Sequence, residues 1–173
     1  QVQPAIVDDT IFAPVTGESI ALDTVNDPVF ASKMMGDGIA IKPQQQQPVK
    51  IYAPQSGHMN VVADTGHAYG LTTDSGIELL VHIGIDTVSL KGQGFKVAVK
   101  PGQNVQKGDL LGEFDPTVIT AANLDDTVMV IVTNSKDYQQ IESEPNQPIK
   151  AGKALIAVQG RPEILAPNIS PTD

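Results

Sequence analysis

The sequence predicts an all-β domain: an antiparallel β-sandwich or flattened barrel built by duplication, with short helical excursions. Three observations carry that expectation. Turn residues punctuate the chain every eight to twelve positions, the rhythm of short strands joined by turns. The segment "IELLVHIGI", residues 77–85, places Ile77, Leu79, Val81, Ile83 and Ile85 at period two, as a strand with one face on a core requires. The third is internal repetition. "APVTGESIALDTV" from Ala13 returns as "APQSGHMNVVADT" from Ala53, 40 residues on, and "NVQKGDLL" with Gly108 returns as "PIKAGKALI" with Gly152, 44 residues on. Each of those two glycines is expected to supply positive φ at a tight turn.

In chain order, residues 1–10 are polar and are expected to form an N-terminal tail, so the domain is placed at 11–159. "NDPVFASKM" offers Asp27 as helix N-cap and Pro28 at the first helical position, and "FDPTVITAANL" repeats the device with Asp115 and Pro116. Strands are expected at 39–41, 50–53, 57–63, 67–73, 77–85, 95–99 and 128–132. "PQQQQP" at Pro43–Pro48 is a polar surface loop. The Pro-rich, aperiodic stretch from residue 160 to 173 is expected to be a C-terminal tail or linker, and "NIS" at Asn168 is read there as chance.

Composition narrows the function. The 173-residue chain is long enough for a real core, and with 4 % aromatic residues that core is mainly Val, Ile, Leu and Ala. No cysteine is present, so disulfides and thiolate metal sites are excluded. A net charge of −9 argues against nucleic acid and anionic lipid surfaces. No apolar run approaches the ~20 residues of a membrane helix, and no signal segment opens the chain. A cytoplasmic location without membrane insertion is expected. Because the chain opens on Gln1, a processed chain or a module of a longer polypeptide is expected.

The residues opposite the apolar row of 77–85 are Glu78, Leu80, His82, Gly84 and Asp86. His82 therefore points away from the most apolar face. If Asp74 and Ser75 form a two-residue hairpin loop, Thr73 pairs with Gly76. His67 then stands directly across from His82, with β-carbons about 4.5–5.5 Å apart. Such a pair could supply a nucleophile and a hydrogen-bond donor. It could hold zinc with Asp86 as a third ligand, or be a polar pair on a half-exposed face. His58, just after a repeat glycine, reads as a solvated surface residue.

"GIELLVHIGIDTV" resembles the active-site motif of the glucose-type IIA domain of the bacterial phosphoenolpyruvate-dependent sugar phosphotransferase system. The similarity extends through "APVTGE", "DPVFASKMMGDGIAIKP", "YAPQSGHM", "TGHAYGL", "LKGQGF" and "VQKGDLLGEFD", from about Ile11 to Val158. The resemblance implies a duplicated barrel-sandwich hybrid fold. It implies that His82 accepts a phosphoryl group, that His67 is the second histidine, and that Thr65 orients it. Asp27 and Asp86 match acidic positions near the site, Phe30 matches an apolar docking position, and Gly84 would leave room for a partner's backbone. Gly66 and Gln93 stand where family members often carry Lys or Asn and Glu.

The implied donor is the phosphocarrier HPr, and the implied acceptor is a IIB domain that serves a membrane IIC domain. No cofactor and no metal are required, although His67 and His82 could take zinc opportunistically. A regulatory reading, in which phosphorylation controls partner binding to a transporter, is compatible with this chemistry. A zinc peptidase is the rival enzyme, since His82 and Asp86 spell H-x-x-x-D, but the sequence has no H-x-H pair. A lipoyl- or biotinyl-type carrier would need a lysine at a hairpin tip, and Lys33 lies instead in a predicted helix.

Overall fold

The computed structural model describes residues 8–160. Its elements in chain order are β1 (Asp9–Phe12), β2 (Gly17–Ala21), α1 (Pro28–Ala31), β3 (Asp37–Pro43), β4 (Val49–Tyr52), β5 (Gly57–Val62), β6 (Ala68–Thr73) and β7 (Glu78–Ile85). There follow β8 (Phe95–Val97), β9 (Asn104–Val105), β10 (Leu110–Phe114), α2 (Pro116–Ala121), β11 (Asp125–Val132), β12 (Gln140–Ser143), β13 (Pro148–Ile149) and β14 (Ala154–Gln159). They build one eight-stranded sheet, ordered β13-β2-β3-β11-β7-β6-β5-β9, and two three-stranded sheets, β1-β14-β12 and β4-β10-β8. Neighbouring strands run antiparallel, as the sequence predicts.

The repeats appear as paired hydrogen bonds. Ala13 donates to the Lys153 carbonyl and accepts from Gly152 N–H, at 2.7 and 2.8 Å; Ala53 does the same with Asp109 and Gly108, at 2.7 and 2.9 Å. The two copies then bond each other reciprocally, Phe12 N–H to Pro54 O and Tyr52 N–H to Pro14 O. The large sheet follows the same pseudo-two-fold relation, with β7 and β11 meeting at its centre.

Several strands escape the sequence reading. β9 and β13 have two residues each, too few for any periodicity to show. β1 begins inside the expected N-terminal tail: Asp9 pairs with Val158, and its carboxylate accepts from Ser75 Oγ at 2.6 Å. Regular structure therefore begins before residue 11, because a polar segment is carried as an edge by β14. Residues 1–7 and 161–173, with most of both expected tails and Asn168, lie outside the described residues.

Both helices start where their caps predict, but α1 ends at Ala31, so Lys33, expected within it, lies in the turn that follows with φ +65°. Asp27 Oδ1 accepts from Val29 N–H at 2.9 Å, and Asp115 Oδ1 accepts from Thr117 N–H at 2.9 Å. Apolar residues pack on both faces of the large sheet. Ile41, Leu79, Val81, Ile83, Val128 and Val130 belong to the main core between the sheets. Leu22, Val25, Phe30, Ala40, Met129 and Ile131 form a smaller cluster on the outer face. Ile85, expected in the main row, joins the outer cluster instead. The left-handed backbone at Gly84 (φ +76°) interrupts the alternation just before it.

The hairpin register also differs by one residue. Thr73 N–H bonds Ile77 O at 2.8 Å, so the loop is Asp74-Ser75-Gly76 with Gly76 at φ +95°. A three-residue loop ending in a left-handed residue replaces the two-residue turn. Ala68, not His67, is the strand partner of His82.

Two glycine substitutions separate close approach from backbone strain. A β-carbon on Gly38 would stand 2.0 Å from the Val130 carbonyl oxygen, whereas one on Gly76 meets nothing within 4 Å. Gly38→Ala should cost about 3 kcal/mol by overpacking the centre of the sheet. Gly76→Ala should cost about 1 kcal/mol from its left-handed φ alone. Equilibrium denaturation of both variants checks the ordering.

Candidate functional site

The candidate site lies on the outer face of β7. The His82 and His67 rings meet edge to face, centroids 5.2 Å apart at 82°. The Phe30 ring packs on His82 from another side, at 4.9 Å. The histidines are thus neighbours, although they are not opposite each other in the ladder. His67 stands just before β6 and just after left-handed Gly66 (φ +74°), where strand alternation does not yet hold. Its carbonyl accepts from Ile83 N–H at 2.7 Å, which ties its backbone to the residue beside His82.

Hydrogen bonding fixes the chemistry of one ring. His82 Nδ1 lies 2.9 Å from the Gly84 carbonyl oxygen. A carbonyl can only accept, so Nδ1 carries the proton and Nε2 keeps its lone pair. His67 Nδ1 pairs with Thr65 Oγ1 at 2.6 Å. Desolvation lowers the His82 pKa from 6.5 to about 4, helped by the charge of His67; the Gly84 bond and Asp27 pull the other way, more weakly. Desolvation also lowers the pKa of His67. Both rings are neutral near pH 7, and His82 presents an unprotonated nitrogen.

The surrounding residues bring corrections. Phe30, which matches an apolar docking position and would have to be exposed to meet a partner, is only 8 % exposed and belongs to the outer cluster. The exposed apolar side chains nearby in sequence are Val29, Met34, Met35 and Val88. Period-two reasoning could not find them, because they sit in a helical turn, a loop and a 3-10 turn. Gly84 leaves no room for a partner's backbone: it is buried, and a β-carbon there would stand 2.4 Å from Thr87 Cγ2 and 2.8 Å from Asp125 O.

Asp27 spends its carboxylate capping α1 while its charge reaches His82. Asp86 is exposed and left-handed at the head of the 3-10 turn Thr87–Leu90. It does not join the histidines, and among the described residues no three His, Cys, Asp or Glu side chains group as metal ligands would. The zinc set with Asp86 as third ligand is therefore not formed. His58 is exposed and bonded to Asn104, as a surface residue would be.

Fold and site together define a duplicated β-sandwich domain that offers one neutral imidazole nitrogen beside a second histidine. The comparisons make the class particular. Residues 9–138 match the model of the phosphoenolpyruvate-dependent sugar phosphotransferase system, EIIA 1. The chain is 44 % identical over 149 residues to the PTS system beta-glucoside-specific EIIBCA component of Dickeya chrysanthemi, covering 86 % of this chain and 22 % of that protein. The glucose permease IIA of Mycoplasma capricolum superimposes with a TM-score of 0.74 and 34 % identity, over 87 % of this chain and 95 % of that one. The chain belongs to the EIIA 1 family of the sugar phosphotransferase system and is a phosphotransferase component of it. It spans about a fifth of its curated relative. Among the described residues no helix is long and apolar enough to cross a membrane.

The lowered pKa of His82 has a signed consequence. The folded domain protonates this ring near pH 4 and the unfolded chain near 6.5. In that window the unfolded state binds more protons, so stability falls as pH drops from 6.5 and the loss is complete below about 4. The contribution is about 3 kcal/mol. NMR titration should show the His82 ring unchanged down to about pH 5. His82→Asn, compared by denaturation at pH 7 and pH 4.5, should lose this part of the acid sensitivity.

Proposed function

We propose that His82 Nε2 accepts a phosphoryl group from phosphorylated HPr and passes it to a cysteine of a IIB domain, in service of sugar uptake and phosphorylation through IIC. The observation that carries this reading is the Gly84 carbonyl on His82 Nδ1, which leaves Nε2 as the free lone pair. In the transfer, the phosphorus–nitrogen bond to Nε2 forms as the donor's phosphorus–nitrogen bond breaks. Neutral His82 needs no deprotonation first. Charge on the transferring group is borne by its oxygens, so positioning and electrostatic stabilisation do the catalysis.

His67 serves as the donor to one of those oxygens. With Thr65 O–H donating a hydrogen bond to His67 Nδ1, the ring's own proton sits on Nε2 and faces the phosphoryl group. Partner docking falls to the exposed Val29, Met34, Met35 and Val88, with Asp27 and Asp86 as an acidic rim for a basic partner. Phe30 supports this surface from beneath and desolvates His82. No metal is needed; zinc bound by His67 and His82 would occupy the attacking lone pair and compete with phosphorylation. The site works in the cytoplasm, where HPr is charged.

Incubation with phosphorylated HPr should place an acid-labile, alkali-stable phosphoryl group on His82. Peptide mapping to His67 or His58 overturns the assignment. His67→Gln should still accept but pass the group on at least about tenfold more slowly, the scale of one lost charge-assisted hydrogen bond. Added zinc should inhibit acceptance and a chelator should restore it; a chelator that abolishes transfer refutes the metal-free reading.

The docking surface is tested by contrast. Val88→Ser should weaken HPr binding at unchanged stability, whereas Phe30→Ser should cost about 3 kcal/mol of stability by emptying a packed site. Titration calorimetry and denaturation separate the two effects.

A further inference from the structure

We infer that Thr87 is a positioning residue for His82: its buried hydroxyl holds the Ile83 carbonyl and, through it, the Gly84 carbonyl that selects the imidazole tautomer. Thr87 is 1 % exposed, one of the few fully buried polar side chains described. Its Oγ1 donates to Ile83 O at 2.5 Å. A helix cap does not account for that bond, since the 3-10 turn begins at Thr87 and its N-cap is Asp86. A valine would fill the same volume, so the hydroxyl needs its own reason.

The geometry supplies one. The N–H of Ile83 donates to His67 O and its C=O accepts from Thr87, so this residue is held from both sides. With Ile83 fixed, the path to the Gly84 carbonyl depends on the torsions of Gly84 alone. Those are confined by what presses on it: Thr87 Cγ2 and the Asp125 carbonyl occupy the space of the missing side chain. Asp125 is itself held, its Oδ1 accepting from Thr127 N–H at 2.9 Å and from Thr127 Oγ1 at 2.6 Å. The Gly84 carbonyl is thereby aimed at His82 Nδ1.

The two tautomers of a neutral imidazole are close in energy in water, so the accepting partner decides between them. Freed from Thr87, the peptide unit at Ile83 can rotate, Gly84 O can leave Nδ1, and part of the population then carries its proton on Nε2. That fraction has no lone pair where attack is required. This inference deepens the reading of His82 as the acceptor and rests on it for its catalytic consequence. Its structural content, the tautomer, does not.

The test uses the ¹⁵N-labelled domain, with His82 ring nitrogens read by long-range proton–nitrogen correlation and acceptance from phosphorylated HPr timed in parallel. The wild-type ring should show a single form with the proton on Nδ1. Thr87→Val should show both tautomers and accept about tenfold more slowly, the scale of one buried hydrogen bond. Thr87→Ser should restore the single tautomer and the rate. A folded Thr87→Val domain with the wild-type tautomer overturns the inference. If Thr87→Val fails to fold, Thr87→Ser decides: it keeps the hydroxyl without the methyl, and mixed tautomers there overturn the inference equally. A tautomer that responds to Thr87 in a domain that never accepts phosphate on His82 would refute the acceptor reading and uphold the positioning one.

Discussion

The pairing of β7 with β11 at the centre of the large sheet is the constraint on which the rest of the molecule depends. Along this ladder Val81 faces Val130 and Ile83 faces Val128, all fully buried, so the two halves join through a continuous apolar seam. On the other side of the same strands, Met129 lies beside His82. One strand therefore carries the main core on one face and the His82 ring on the other. Fixing its register against β11 fixes the site to the core.

The surroundings of His82 trade proton affinity for readiness. The Phe30 ring and the partial burial of His82 take solvent away from it, and that loss outweighs the attraction of Asp27. An exposed imidazole would be half protonated near pH 6.5 and blocked to that extent as a nucleophile. The outer cluster, which looks at first like a minor satellite of the core, is what desolvates the ring. Burial of Phe30 is thus the reverse of its expected role yet serves the same site.

What the sequence made legible was local. Aspartate followed by proline named both helix starts, and alternation placed His82 on the face away from the main core. The A-P-x-x-G repeats gave the duplication before any pairing was visible. What it hid depends on long-range contacts. β1 is a strand because β14 pairs with it, and Phe30 is buried because α1 folds back over the outer face. The two-residue turn predicts the histidine pair from a register that is off by one residue. Gly76 belongs to the loop, and the two rings meet because His67 lies beyond the regular part of β6.

The duplication is unequal at one place. By strand register Gly38 corresponds to Ala68, so Ile131 stands where the other half has His82, and Asp37 where it has His67. Between β2 and β3 the chain spends residues 22–36, including α1, whereas between β5 and β6 it spends only 63–67. The longer excursion roofs over its half with Leu22, Val25 and Phe30; the short one leaves the equivalent face open. An internally symmetric ancestor would have offered two identical ports. This chain has closed one and bent the lid toward the other, so the two outer faces are unlike: one is an apolar cluster and the other a pair of imidazoles edged by the Phe30 ring.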